Sequence, residues 1–160
     1  MDRSKDLFLF RLNRLAATAG RPLIRLCEGQ FGITRREWRL IVILAQDGPQ
    51  LSTGLANRAS IEPARTSRAI TALVEKGLAT RVPRSSDRRF VEVVLTDEGR
   101  KVYESLYPDV EAINRALLSG LSESEREQLA KTFRTLEDAA IRLPESMPNL
   151  PKTNRRRMHL

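Results

Sequence analysis

Leu12, Leu15, Ala16, Ala19 and Leu23 recur at the three-and-four spacing that puts apolar side chains on one side of a helix. The spacing predicts a helix over about residues 5–27, kinked or split where Gly20 and Pro22 fall. A second helix opens at Thr34-Arg35-Arg36-Glu37, a capping box in which the Thr hydroxyl accepts from the third amide while the Glu reaches back. Trp38, Ile41, Val42 and Ala45 follow at helical spacing, and Asp47-Gly48-Pro49 stops the run. Ser52 is read as the cap of a short helix over STGLANRAS, with Leu55 and Ala56 facing inward. Pro63 suits the first turn of the next helix, where its missing amide costs little. That helix runs to about Lys76 and Gly77 closes it. Ala69, Ile70, Leu73 and Val74 form its apolar stripe; Arg65, Thr66, Ser67, Arg68 and Thr71 occupy the other face.

The period then changes to two. Val91, Val93 and Leu95 alternate with Phe90, Glu92 and Val94, a half-buried strand, and LATRVP supplies its partner. Between them, RSSDRRF forms a basic tip. Thr96 caps a long helix running beyond Leu106, with Pro108 as a kink or break. Ser122-Glu123-Ser124-Glu125 is a second capping box; Leu129, Phe133, Leu136 and Ala140 line the helix it opens, and Pro144, Pro148 and Pro151 end regular structure.

Helix, short helix, helix and ribbon in this order give a fold that is mainly α with a small β-ribbon (α+β): a winged helix-turn-helix. The ribbon carries its arginines out beside the recognition helix, and Asp87 can pair with Arg89 to hold that guanidinium in one pose. The partition expected is 1–33, an N-terminal dimerisation helix region; 34–97, the DNA-binding region, with the recognition helix about 63–76 and the wing about 79–95; 98–143, C-terminal dimerisation helices; and 144–160, a basic, mobile tail.

Composition sharpens this picture. The 160 residues make one domain, or one domain with a dimerisation extension. Hydrophobic residues are 41%, aromatics 5% and charged residues 30%, which favours an elongated helical protein. The net charge is +8. Between Arg58 and Arg89 stand Arg58, Arg65, Arg68, Lys76, Arg81, Arg84, Arg88 and Arg89 against only Glu62, Glu75 and Asp87, so a polyanionic partner is expected. A further basic cluster runs from Lys152 to Arg157. One cysteine, Cys27, allows no intrachain disulfide and fits a reducing cytoplasm. The apolar LFLF is cut short by Arg11 and Arg14, so neither a signal segment nor a membrane association is expected. The only histidine is His159, in the tail, and no glycine-rich phosphate loop is present. Catalysis, a metal and a cofactor are therefore not expected.

Four pieces, in register, resemble the MarR family of bacterial transcription regulators: ITRREWRLIVIL, LSTGLANRASIEPARTSRAITALVEKGLATR, the Asp-x-Arg wing signature as Asp87-Arg88-Arg89, and LTDEG. The likeness covers about residues 5–142. Gly20-Arg21-Pro22 and the proline-punctuated tail depart from the family pattern and bear on the dimer interface rather than the DNA-binding core. The resemblance implies a cytoplasmic homodimer on double-stranded DNA at an inverted-repeat operator. It also implies a repressor, released by a small, often aromatic or phenolic, effector. Pro63, Ala64, Arg65, Thr66 and Ser67 would begin the recognition helix. Arg65 and Arg68 are the candidates for guanine contacts; Thr66, Ser67 and Thr71 would touch bases or phosphates; Ser52 and Thr53 would bind phosphate. Arg84, Arg88 and Arg89 would serve the wing, with Arg89 the first candidate for the minor groove. Trp38 would line an effector crevice or fill core. Alternatives of other kinds are an architectural DNA-binding protein without sequence preference, an interaction adaptor that has lost DNA binding, and a redox-sensing regulator in which Arg25 activates Cys27.

Overall fold

The computed structural model describes residues 7–147 and residue 149. The expectations for the basic tail from Lys152 and for His159 lie outside them. The chain separates into a unit ending at Leu117 and one beginning at Leu118.

The first unit begins with α1 (Phe8–Ala19) and α2 (Arg21–Phe31), so the N-terminal helix is two pieces that meet at Gly20. Next come α3 (Arg35–Asp47), β1 (Gln50–Leu51), α4 (Ser52–Ala59), α5 (Pro63–Glu75), β2 (Ala79–Pro83), β3 (Val91–Leu95) and α6 (Asp97–Leu117). Both halves of the Thr34–Glu37 capping box form. Leu40, Ile41 and Leu44 of α3 meet Leu55 of α4, Ile70 and Leu73 of α5, Val93 of β3 and Leu106 of α6 in one cluster. Each such side chain contributes about 1.5–3 kcal/mol by burial, so α3 is the axle on which the reading elements are mounted.

Three expectations are corrected. Ser52 is the first helical residue of α4 rather than its cap; Leu51 holds that place, without a side-chain bond. The ribbon is a three-stranded antiparallel sheet in the order β1-β3-β2, because Gln50 and Leu51 pair with Val93 and Glu92. In the second unit, α7 (Glu123–Ser146) opens on its capping box as expected but continues through Pro144 to Ser146. Pro108 likewise lies inside α6 without ending it.

The wing root and the start of α6 form a tight joint. Gly77 takes a φ of 69° after α5. Its carbonyl accepts from the Thr96 hydroxyl at 2.7 Å, and the same Thr96 oxygen accepts from the Gly99 amide at 3.1 Å. The Thr96 amide donates to the Leu78 carbonyl at 3.1 Å. Gly99 is buried against that carbonyl, where no side chain fits.

Candidate nucleic-acid interface

Ala69, Ile70 and Leu73 fix one face of α5 in the core, which turns Arg65, Ser67, Arg68 and Thr71 outward, with Pro63 and Ala64 exposed at the helix start. Thr66 does not join them. It is 1% exposed, and its hydroxyl lies 3.1 Å from the Glu62 carbonyl oxygen, to which it donates, and 3.4 Å from that of Ile61. Position 66 comes one turn before Ile70 on the inward side, so Thr66 anchors the first turn instead of touching DNA.

The outward arginines are lightly held. Arg65 Nε lies 3.5 Å from Glu62 Oε2, and Arg68 Nε donates to the Ala64 carbonyl at 3.3 Å. Ser52 and Thr53 are exposed at the start of α4, where no side chain caps the first amides. That combination can receive a phosphate oxygen.

The wing tip is built as the sequence suggested. Arg84 N donates to the Phe90 carbonyl at 2.8 Å, and Phe90 N to the Asp87 carbonyl at 3.0 Å. The Asp87 carboxylate takes Arg89 Nε at 3.0 Å on Oδ1, a guanidinium nitrogen at 2.8 Å on Oδ2, and the Arg89 amide at 3.1 Å. Arg89 is nevertheless 87% exposed, so the pair orients the guanidinium without hiding it. Arg84 pairs with Glu92 at 3.1 Å. Arg88 is exposed and has no hydrogen-bond or ion-pair partner among the described residues.

The Arg89 hydrogen bonds hold the Asp87 carboxyl below its ordinary range. A carboxyl lowered in the folded state stabilises it above the unfolded value and loses that contribution as pH falls through the folded value. The wing pair should therefore survive mild acidity, which a carboxyl-carbon NMR titration of Asp87 would show as a midpoint below that of a free aspartate. Asp87→Ala should weaken binding to specific DNA even though it adds positive charge. Tighter specific binding by the variant would sink the pre-organising role.

Two further groups belong to this face: Arg81, one of the bases counted between Arg58 and Arg89, and Arg36, which the sequence did not single out. An Arg81 guanidinium nitrogen donates to Thr71 Oγ1 at 2.9 Å, tying β2 to α5. Arg36, within the first capping box, is exposed beside the recognition helix. An open cleft of about 400 Å³ is lined by Thr34, Arg36, Glu37, Arg65, Arg68 and Ala69.

The other candidates move into the core. Trp38 is 4% exposed and stacks on Tyr103, with centroids 5.9 Å apart, and Tyr103 in turn meets Tyr107. It fills core between α3 and α6 rather than lining an open crevice in the chain. Cys27 is fully buried, and burial, with the nearby Glu28 charge, pushes its thiol up to about 11; the cation that opposes this is Arg35, not Arg25. A buried, protonated thiol is the opposite of an oxidant sensor, so the redox alternative loses its basis. No helix among the described residues is long and apolar enough to cross a membrane.

Comparison with known proteins converges on one group. Residues 33–91 match the MarR family. The chain is 33% identical over 108 residues to the HTH-type transcriptional regulator FarR of Neisseria gonorrhoeae, covering 68% of this chain and 71% of that one. A MarR family transcriptional regulator from Silicibacter pomeroyi DSS-3 superposes with a TM-score of 0.74 at 29% identity, over 86% of this chain and 97% of that one. Bordetella bronchiseptica BpsR, whose DNA binding is regulated by 6-hydroxynicotinic acid, shares the fold, with a TM-score of 0.73 at 22% identity over 83% of this chain and 94% of that one.

Proposed function

Starting from the fact that this chain belongs to the MarR family of DNA-binding transcriptional regulators, which are not enzymes, we propose that it is a dimeric, sequence-specific repressor released from its operator by a small aromatic effector. The observation that carries the reading is the outward row Arg65, Ser67, Arg68 and Thr71 on α5, set beside a wing whose Arg89 is oriented by Asp87. The helix supplies donors for the major groove, where each bidentate arginine–guanine pair is worth about 1–3 kcal/mol of discrimination. The wing supplies an oriented cation for the backbone or minor groove.

The homodimer is supported by large apolar side chains left exposed in each unit. Leu7, Phe8, Leu9, Phe10 and Leu15 at the N-terminus are exposed, as are Phe133, Leu136, Ile141 and Leu143 on α7. Two reading heads on one DNA face require half-sites about 34 Å apart, hence a pseudo-palindrome. Regulation of BpsR by 6-hydroxynicotinic acid supports an aromatic effector class here. A cytoplasmic location follows from DNA as the target.

The deciding experiment measures binding to the chain's own promoter region against scrambled DNA at two salt concentrations. A ratio of about 10³ or more establishes sequence-specific recognition. Equal affinity with a steep salt slope would establish the architectural reading instead. Arg68→Ala should lower operator affinity by about 1–3 kcal/mol while leaving scrambled DNA nearly unchanged. An equal loss on both duplexes would make Arg68 a phosphate contact.

A further inference from the structure

We propose that the cleft between the start of α3 and the recognition helix seats a DNA backbone phosphate, with Arg36 as the residue that holds it. The proposal rests on the DNA-binding reading above and extends the interface to an element outside α4, α5 and the wing.

The charge in the cleft is unbalanced. Arg36, Arg65 and Arg68 line it, and Glu37 is the one carboxylate among its lining residues. That carboxylate is 5% exposed and already committed: Oε2 accepts from Lys76 Nζ at 2.7 Å and from the Thr34 amide at 2.8 Å. The Arg36 side chain has no hydrogen-bond or ion-pair partner among the described residues. Arg68 spends only Nε, on the Ala64 carbonyl, and Arg65 keeps only the 3.5 Å approach to Glu62.

Arg36 is also poorly placed for its own helix. It stands in the first turn of α3, where the helix dipole presents its positive end and favours acids over bases. A local cost of this kind, with no compensating contact in the chain, marks a residue whose partner is elsewhere.

Geometry selects DNA over a free anion. A helix seated in a major groove about 12 Å wide has a phosphate strand on either side. Arg65 and Arg68 belong both to the cleft wall and to the outward face of α5, so the cleft opens toward the strand bordering the groove on the α3 side. A phosphate there would be held by Arg36 without displacing an existing ion pair, while Arg65 and Arg68, on the outward face of α5, stay turned to the base edges.

The test uses the full chain and its Arg36→Ala and Arg36→Lys variants on the promoter duplex and a scrambled duplex across a salt series. Arg36→Ala should lower affinity for both duplexes by a similar factor, about three- to tenfold. It should reduce the slope of log K against log salt by about 0.9 for each chain engaged. Arg36→Lys should keep the wild-type slope. An unchanged slope with Arg36→Ala overturns the assignment. A loss confined to the promoter duplex also overturns it, because it would make Arg36 a base reader. Thermal stabilisation of the wild type by inorganic phosphate, absent in Arg36→Ala and accompanied by an unchanged DNA slope, overturns it in favour of a free-anion site. The scrambled duplex yields the slope even if the promoter duplex is not preferred, so failure of the repressor reading and failure of this one are separable.

Discussion

Gly99→Ala should lower the stability of the protein by about 3 kcal/mol or more, a large effect for one methyl group. A Cβ at position 99 would collide with the Leu78 carbonyl oxygen and would lie 2.7 Å from Leu95 Cδ1. The leucine methyl can rotate away. The carbonyl cannot, because it accepts from the Thr96 amide at the root of the wing. Relief therefore requires the start of α6 to separate from β2, which opens the core around Leu95 and Leu106. Thermal unfolding should show the midpoint falling by roughly 6–12 °C at this chain length. A change within a degree or two would mean that the joint is compliant. Gly99→Ser should behave at least as badly, whereas substitution at the exposed Gly120, which faces open space, should not.

The second large effect is expected at Glu37. Its carboxylate closes the α3 capping box and, from a buried position, receives Lys76 from the end of α5. Glu37→Ala removes the reciprocal cap and leaves the Lys76 ammonium facing the Gly32 carbonyl alone. Losing a cap costs about 1 kcal/mol, and breaking a buried pair costs several; because Lys76 is partly exposed, a total of about 2–3 kcal/mol is expected. Chemical denaturation of Glu37→Ala, Lys76→Met and the double variant would isolate the coupling. Strict additivity of the two single effects would show that the pair contributes nothing beyond its separate parts.

What the sequence disclosed and what it withheld divides along a physical line. Signals carried by neighbouring residues were legible. Thr34 to Glu37 and Ser122 to Glu125 are three apart, and Asp87 to Arg89 two apart, so spacing alone foretold both caps and the wing pair. The period change at Val91 placed the wing. Features made by residues distant along the chain were not legible. β1 is two residues long, too short to show any period, and exists only because β3 offers an edge. Trp38 stood open between core and effector crevice, and only its distant partner Tyr103, packed against it, decides for core. Thr66 sits in a polar run of sequence but on the inward side of α5, where one turn of phase decides between core and DNA. Pro144 was read as a stop, yet α7 continues two residues past it to Ser146. Cys27 beside Arg25 left a packed and a reactive reading open, and burial decides for the packed one.

The joint at Thr96, Gly77 and Gly99 has a mechanical meaning. With hydrogen bonds on both sides and no room for a side chain between them, the wing root and the head of α6 move as one piece. The 21 residues of α6 extend roughly 32 Å, so the helix is a long arm with the wing clamped at its first turn. A 10° tilt of that arm sweeps its far end through about 5–6 Å while turning the wing by the same angle. Gearing of this kind lets a small rotation at the reading head and a large displacement far from DNA be the same motion, seen from opposite ends.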